Sequence, residues 1–242
     1  MTQAIDPALQ NKIDHTVAVL RKIADEYSPA AFANSFGAED MVLTDLIARH
    51  GINIGVFSLD TGRLPGETYE LMHTSRERYA QTPITVYFPK AESVEHYVNE
   101  HGINGFYHSI EARKQCCRVR KLEPLARALA GQNSWVTGLR REQSTTRTEM
   151  QEQEWDAANG LNKFNPLLDW SEKEVWAYIK AEQLPYNALH DRHYPSIGCA
   201  PCTRAITVGE DIRAGRWWWE NPDSKECGLH GASSSLQRPA GK

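Results

Sequence analysis

The sequence has no long hydrophobic run. Among its 242 residues, no apolar stretch approaches the roughly 18 residues that a membrane-spanning helix requires. The first segment, MTQAIDPALQNKIDHTVAVL, mixes charged and apolar side chains throughout, whereas a secretory signal peptide separates them. We therefore expect a soluble protein of the cytoplasm that makes no contact with a membrane.

An excess of positive charge is also absent. Lysine and arginine number 27 against 31 aspartate and glutamate residues, which gives a formal net charge of −4. A chain of this charge has no overall basic field to attract nucleic acid, so we expect no nucleic-acid partner. Any anionic ligand must be bound by a local cluster of basic side chains.

Cysteine is scarce, with five residues, and an odd number is poorly suited to a disulfide framework. Few cysteines in a chain of this length favour metal binding or catalysis in a reducing compartment. No internal repeat is evident, and only the final segment, GASSSLQRPAGK, has the composition of a flexible tail. The length suits one principal domain with an appendage.

Strands and helices are predicted to alternate along the chain. A leading amphipathic helix is expected over residues 8–27, where apolar residues recur at helical spacing. Short apolar strands at the start of AAFANSFGAED and in INIGVFSL, PITVYF and SWVTGLR are separated by helical segments. A capping box from Ser171 and Glu174 begins a later helix, SEKEVWAYIKAEQ. This alternation predicts parallel βαβ units in a doubly wound, mostly parallel α/β sheet.

Three loops at the carboxyl ends of the predicted strands carry polar residues. NSFGAED follows the first strand, SLDTG the second and TGLRREQS the fourth. Ligands of such sheets bind where strand ends meet helix N-termini, because free backbone amides there attract anions. An ordinary strand-to-helix turn explains SFGAED equally well, so these loops indicate only where a ligand site is expected.

Four of the five cysteines form two pairs, Cys116–Cys117 and Cys199–Cys202. A disulfide between neighbours requires a distorted or cis peptide, and a non-proline cis bond costs about 2.5–4 kcal/mol. Four thiolates in two pairs fit either a structural zinc ion or an iron–sulfur cluster. Adjacent helical side chains are separated by about 100°, so a shared target must be large or the backbone kinked, which favours a cubane cluster. Two alternatives remain: buried apolar thiols at the adjacent pair, and a redox pair at C-x-x-C.

The fifth cysteine, Cys227, lies in the polar segment SKECGLH. Lys225 and His230 near it favour the nucleophilic thiolate, although an inert surface thiol is the simpler alternative. Upstream, Arg213 and Arg216 are three residues apart, so on a helix they would share one face and clamp an anion, unless that face is merely solvated. The tryptophan run 217–219 favours core packing over ligand stacking.

Taken together, these motifs resemble those of the adenosine 5′-phosphosulfate reductases within the phosphosulfate reductase family. The matching segments are, in order, SFGAEDMVL, LDTGRLPGETY, CCRVRK with EPL, TGLRREQS, GCAPCTR, RAGRWWWE and KECGLH, which extend from about residue 30 to 230. The first two are shared with the related 3′-phosphoadenosine 5′-phosphosulfate reductases, which generally lack the four paired cysteines. The cysteine pattern therefore favours the substrate without a 3′-phosphate.

The resemblance implies a fold of the adenine nucleotide α-hydrolase type, with a modified PP-loop over residues 35–40 and a mobile C-terminal segment. It divides the chain into a sulfonucleotide-binding α/β domain over 1–205, which includes the iron–sulfur site, and a segment over 206–242, which carries catalytic Cys227. It assigns Cys116, Cys117, Cys199 and Cys202 as ligands of a [4Fe–4S] cluster. The residues that it places at the substrate are Ser35, Gly37, Asp40, Leu59, Lys121, Gly138, Arg147, Arg213, Arg216 and His230, with the backbone at Leu59 and Gly138 at adenine.

The implied activity is the reduction of adenosine 5′-phosphosulfate to sulfite and AMP in assimilatory sulfate reduction. Cys227 forms an S-sulfocysteine, and thioredoxin, as a transient partner, supplies the electrons; a homo-oligomer is left open. Activity on the 3′-phosphorylated substrate is one alternative. A PP-loop tRNA-modifying ATPase is a second, but it requires an intact S-G-G-x-D-S loop, which Phe36 interrupts. A zinc-binding interaction module is a third, and it would be colourless where an iron–sulfur protein is brown.

Overall fold

The computed structural model describes residues 5–143 and 150–221, and within them one sheet of six strands forms the centre of the fold. The strands are β1 (Ala30–Ala33), β2 (Gly55–Leu59), β3 (Ile84–Tyr87), β4 (Ser134–Val136), β5 (Gln153–Asp156) and β6 (Leu161–Phe164). Their spatial order is β3-β2-β1-β4-β6-β5. All neighbours are parallel except β5 and β6. The predicted doubly wound, mostly parallel α/β sheet is therefore confirmed.

Seven α-helices are described. They are α1 (Pro7–Glu26), α2 (Ala38–Arg49), α3 (Gly66–Arg78), α4 (Ala91–His101), α5 (Ile110–Cys117), α6 (Glu123–Ala128) and α7 (Glu172–Ala181). The Asp6 side chain caps α1 by accepting from the Ala8 amide, and Ser171 and Glu174 form the predicted capping box of α7. Local sequence signals thus fix where these helices begin. No described helix is long and apolar enough to cross a membrane.

The hydrophobic core lies on both faces of the sheet. In β1, Phe32 packs with α1, α2 and α7, whereas the neighbouring Ala31 packs with Phe57, Trp135 and α6 on the opposite face. Successive residues of a strand point to opposite faces, so β1 is buried on both sides. This double burial is what a central parallel strand covered by helices requires.

The chain between 204 and 217 corrects one prediction. Arg213 and Arg216 do not lie on a helix: residues 212–215 form turns, and Arg216 pairs with Thr203 in an isolated antiparallel bridge. The Asp211 side chain accepts from the Arg213 amide, which offers the backbone a turn in place of a helix. Gly215 passes so close to Arg204 that an added Cβ would lie 2.3 Å from the carbonyl oxygen. These contacts fold residues 204–217 back against the preceding chain, and we call this segment the basic strap.

The tryptophan run is only partly core. Trp217 is 1 % exposed, as predicted, but Trp218 is 39 % exposed and contacts Trp219 and Tyr107 at the surface. Trp217 has a φ of +41°, which turns its side chain inward while the next one points out. The core prediction is therefore correct for Trp217 and wrong for Trp218.

Candidate functional site

A cavity of about 270 Å³ lies at the carboxyl ends of β1, β2 and β4. The three polar loops singled out in the sequence all line it, as the switch-point geometry of such sheets requires. Ten substrate-binding residues were predicted, and the eight in the described part of the chain all line this cavity: Ser35, Gly37, Asp40, Leu59, Lys121, Gly138, Arg213 and Arg216. Arg147, His230 and the predicted nucleophile Cys227 lie outside the described residues.

The loop after β1 is held by its own side chains. Asp40 Oδ2 accepts from both the amide and the hydroxyl of Ser35 at 2.6 Å, and Asn34 Oδ1 accepts from the Phe36 amide at 2.6 Å. Phe36 is 2 % exposed and has a left-handed φ of +61°, a conformation that tertiary contacts must enforce on a bulky residue. The loop is therefore formed in advance of any ligand.

The Asp40 carboxyl is buried at the bottom of this loop. Burial raises its pKa to about 7, and the hydrogen bonds from Ser35 oppose that rise. A Cβ on Gly138 would lie 2.2 Å from Asp40 Oδ1, so only glycine lets the end of β4 approach the first turn of α2 this closely. Next to this contact, Arg140, itself 2 % exposed, donates to Glu39 at 2.8 Å. The polar side chains around Gly138 are therefore hydrogen-bonded within the protein, Asp40 to Ser35 and Arg140 to Glu39.

Four cysteines meet beside the cavity. Cys116 and Cys117 end α5, while Cys199 and Cys202 flank a short 3-10 turn. A second, small cavity is lined by all four, and none of them forms a disulfide. A π-helical turn, Arg118–Leu122, directly follows Cys117 and is the kind of local irregularity that adjacent ligands on one helix were expected to need.

The environment of these thiols is unlike that of a redox pair. Burial raises the pKa of Cys116, and it raises the pKa of Cys202 to about 12 against the opposing charge of Lys121 and Arg216. A reactive C-x-x-C pair requires a lowered pKa. The raised pKa of Cys202 therefore disfavours the redox alternative at the C-x-x-C pair.

Buried hydrogen-bond donors without partners surround the thiols. Within the described residues, Arg120 Nε and Trp217 Nε1 are buried and have no acceptor, while the Tyr97 hydroxyl lies against the Cys116 thiol. Tyr97 and Trp217 pack in the same cluster as Cys116, Cys199 and Cys202. An unsatisfied buried donor is costly, so this region is chemically suited to acceptor atoms that are not part of the protein.

The residue types at this site suit a metal or a metal cluster. Four cysteines in two pairs are a ligand set that both a structural zinc ion and an iron–sulfur cluster use. Across residues 5–143 and 150–221, no group of three or more His, Cys, Asp or Glu side chains is already arranged to hold a metal ion.

The two cavities share part of their walls. Lys121, Cys199 and Trp217 line both. Trp217 is held between two guanidinium groups, with Cζ of Arg113 at 4.8 Å and Cζ of Arg216 at 4.7 Å from its ring centroids. Thr61, directly after β2, lies 3.2 Å from Cys199 Sγ through its hydroxyl. Basic side chains, the thiol cluster and the main cavity are thus one continuous site.

Several lining residues were missed from the sequence, among them Asn34, His190, Ser196 and Gly198. Gly198 had a readable signal, a glycine directly before the C-x-x-C segment, and an added Cβ there would lie 2.3 Å from Arg216 Nη2. His190 had none, because a single histidine after a helix marks no chemistry until the fold places it.

Comparison with known proteins identifies the family. The structure is a doubly wound α/β protein with a cavity at the carboxyl ends of its strands, where proteins of this class bind their ligands. The family model described as "Phosphoadenosine phosphosulfate reductase domain" matches residues 29–205, and the chain belongs to this family.

The sequence relatives agree over almost the whole chain. The chain is 56% identical to the adenosine 5′-phosphosulfate reductase of Allochromatium vinosum over 99% of its own length and 95% of the relative's. It is 55% identical to that of Burkholderia cepacia, with 94% and 90% covered.

Solved structures share the fold. The phosphoadenylyl-sulfate reductase of Candida auris, solved as a phosphate complex, superposes with a TM-score of 0.68 at 25% identity over 85% of this chain and 100% of that one. The FMN adenylyltransferase of Candida glabrata superposes with a TM-score of 0.59 at 16% identity, covering 92% of this chain and 80% of the other. The second likeness extends to the fold alone.

Proposed function

We propose that this oxidoreductase reduces adenosine 5′-phosphosulfate to sulfite and AMP in assimilatory sulfate reduction. The observation that carries the proposal is the main cavity, which all eight described candidate residues line and which shares Lys121, Cys199 and Trp217 with the smaller cavity of the four thiols. The high identity to proteins named adenosine 5′-phosphosulfate reductase supports the choice of substrate.

The nucleotide binds across the strand ends in this proposal. Adenine meets the backbone at Leu59 and Gly138, and the phosphosulfate lies among Lys121, Arg213 and Arg216, with Arg147 completing the basic group. Guanidinium groups bind such oxyanions through paired, charge-assisted hydrogen bonds. Their positive charge also offsets the repulsion between an anionic substrate and an attacking thiolate.

Cys116, Cys117, Cys199 and Cys202 hold a [4Fe–4S] cluster in this proposal. The fit rests on four cysteines in two pairs, three of them buried, and on the unpartnered donors of Arg120 and Trp217 around them. Such a group supplies positive charge that keeps the thiols ionised, together with sulfur acceptors for the buried donors. Its role is structural and electrostatic, since the two electrons of the reaction come from external thiols.

The reaction proceeds through the C-terminal cysteine. The Cys227 thiolate attacks the sulfate sulfur, the S–O bond to the phosphate breaks, and AMP leaves with the bonding electrons. The S-sulfocysteine is then attacked at Cys227 by a thiolate of thioredoxin, which releases sulfite and forms a mixed disulfide. A second thioredoxin thiol resolves that disulfide and restores Cys227. Residues 206–242 act as the segment that delivers the nucleophile to domain 1–205.

A sulfite-release assay tests the proposal. Wild-type protein with reduced thioredoxin is supplied with adenosine 5′-phosphosulfate or its 3′-phosphorylated form, and turnover is expected with the first. Without reductant, one S-sulfonate should accumulate on the peptide that contains Cys227 and disappear when thioredoxin is added. Cys227→Ser should abolish sulfite release while AMP binding persists. Turnover confined to the 3′-phosphorylated substrate, or an adduct on another cysteine, contradicts the proposal.

A further inference from the structure

His190 lines both the main cavity and a neighbouring cleft, and one of its ring nitrogens has no hydrogen-bond partner. It begins a 3-10 turn, His190–Arg192, after α7, and its side chain lines the cavity. Within the described part of the chain, its Nε2 is buried and has no hydrogen-bond partner. Among the described residues of the main cavity that lie away from the thiols and from residues 204–217, His190 is the only one with a buried polar atom that lacks a partner. Buried polar atoms are normally paired, so this one indicates a missing partner.

The surroundings hold the imidazole ring in a fixed orientation. The Trp176 ring packs against it edge-on, with centroids 5.2 Å apart and planes at 81°, and Trp176 is in turn supported by Tyr186. The His190 amide donates to the Asn187 carbonyl at 3.0 Å, and the Asn187 side chain donates to Thr68 of α3 at 2.9 Å. A side chain supported in this way is pre-organised and loses little freedom when it binds a ligand.

The ring is held in its neutral form at pH 7. Burial lowers the pKa of His190, and this effect outweighs the backbone of Tyr194 and the carboxylates of Glu39, Asp191 and Glu172, which all favour protonation. Tyr194 hydrogen-bonds the ring, and Nε2 is unpartnered, so the bond engages Nδ1. A neutral ring with its proton on Nδ1 presents a lone pair at Nε2.

A lone pair selects its partner by chemistry. The phosphate and sulfate oxygens of a sulfonucleotide carry no proton near neutral pH, so they cannot donate to it. The donors of such a ligand are the adenine amino group and the ribose hydroxyls. Glu39, which acts electrostatically on His190 and also lines the cavity, makes this wall unfavourable for a further anion.

We propose that His190 Nε2 accepts a hydrogen bond from the nucleoside part of the ligand, from the adenine amino group or from a ribose hydroxyl. His190 is thus a binding residue that orients the nucleoside while the basic strap holds the anion. The inference rests on the proposed function, because it takes an adenosine nucleotide as the ligand.

AMP binding to the full chain provides the test, measured by calorimetry for wild type, His190→Leu and His190→Gln. Loss of the acceptor should weaken AMP binding about three- to tenfold, which corresponds to one net hydrogen bond. Glutamine, whose side-chain oxygen is also an acceptor, should restore most of the affinity. His193→Asn is the matched control, because His193 lines a neighbouring cleft and not the main cavity. It should bind AMP as wild type does.

Nucleotide analogues identify the donor. Purine riboside 5′-monophosphate lacks the amino group, and 2′-deoxy-AMP and 3′-deoxy-AMP each lack one hydroxyl. The analogue without the relevant donor should bind wild type more weakly than AMP, but should bind His190→Leu no more weakly than AMP does. Losses that are equal in wild type and His190→Leu for all three analogues would overturn the inference.

The outcome also separates this inference from the proposed function. If wild type releases sulfite from adenosine 5′-phosphosulfate while folded His190→Leu and His190→Gln both bind AMP unchanged, the role of His190 is wrong and the function stands. If wild type binds no adenosine nucleotide, both are wrong. Should His190→Leu fail to fold, His190→Phe takes its place, because phenylalanine also lacks the acceptor and keeps a ring against Trp176. One analogue should then bind wild type more weakly than AMP with no such difference in His190→Phe, and equal losses in both reject the inference.

Discussion

Two regions of the site differ in how completely their polar groups are satisfied. In the loop of residues 34–40, Asp40 accepts two hydrogen bonds from Ser35, and Asn34 bonds the Phe36 amide. Around the four cysteines, the buried donors Arg120 Nε and Trp217 Nε1 have no acceptor among the described residues. The polar groups of the first region are paired without a ligand. Those of the second region would be paired only if the region bound a group with acceptor atoms.

This difference indicates how each region interacts with what it binds. The loop of residues 34–40 has its polar groups paired and holds Phe36 in a left-handed conformation. We therefore expect it to be rigid and to select a ligand by its shape. A region of raised thiol pKa values and unpaired donors acts through charge, and its energy depends on what it binds. Substitutions in the loop should therefore alter how well the nucleotide fits. Substitutions of the cysteines should abolish binding of the group that they hold.

The largest expected effect is loss of the proposed iron–sulfur cluster. Cys202→Ala should reduce the iron content from about four per chain to near zero and abolish sulfite release, because a cubane needs all four thiolates. Iron analysis and visible absorption of anaerobically purified protein measure it. Cys227→Ser is the matched control and should keep its iron and its brown colour. A colourless wild type with one zinc would break the comparison, since the thiols would then form a closed structural site.

A smaller effect is expected from the basic strap between the two regions. Arg213→Ala and Arg216→Ala should each weaken binding of adenosine 5′-phosphosulfate by about 1.5–3 kcal/mol, the range for a hydrogen bond to a charged group. Equilibrium binding without reductant measures the change. Arg204→Ala is the control from the same strap, because Arg204 pairs with Glu210 and lines neither cavity. If both variants bind adenosine 5′-phosphosulfate with unchanged affinity, these arginines do not bind the substrate and their role is structural.

The sequence predicts the scaffold well where the signal is local. The start of α7 follows from the predicted capping box of Ser171 and Glu174, and the four apolar strands appear in the predicted places, because these features depend on residues within one or two turns. The loops at the strand ends follow from topology, so the residues assigned there converge on one cavity.

The remainder depends on contacts distant in sequence. No strand was predicted over β5 and β6, because Lys163 makes the segment look polar, yet Lys163 is 6 % exposed, pairs with Glu154 at 2.8 Å and lies over the Trp135 ring. The turn that replaces the expected helix at Arg213 and Arg216 likewise follows from pairing with residues 203–204. Neither partnership is visible in a local window of sequence.

Gly138→Ala tests whether the loop region acts through shape. The added Cβ would lie 2.2 Å from Asp40 Oδ1, so β4 or α2 must shift, at a cost of about 1–3 kcal/mol in the free energy of unfolding. Denaturant unfolding measures that cost, and AMP affinity should fall with it. Gly66→Ala is the control, because Gly66 begins α3 and nothing lies within 4 Å of an added Cβ. A fully stable Gly138→Ala protein with normal AMP binding would show that the loop adapts to the added methyl group and is not rigid.

The smallest expected effect is the pH dependence of stability that Asp40 contributes. Its pKa is about 7 in the folded chain and near 3.8 when unfolded, so between these values the folded state holds a proton that the unfolded state has lost. The contribution of Asp40 to stability is therefore greatest at low pH and declines as pH rises towards 7. From pH 6 to 7 the decline should be about 1 kcal/mol.

Asp40→Asn isolates this contribution, because asparagine keeps an acceptor for Ser35 and does not titrate. Its free energy of unfolding should gain on that of wild type by about 1 kcal/mol between pH 6 and pH 7, measured by denaturant unfolding at each pH. Asp14→Asn, at an exposed position of α1, should show no such gain. If Asp40→Asn and wild type follow parallel pH profiles, Asp40 is ionised throughout this range. The loop of residues 34–40 would then carry a buried negative charge beside the nucleotide, and its interaction with the ligand would be electrostatic as well as steric.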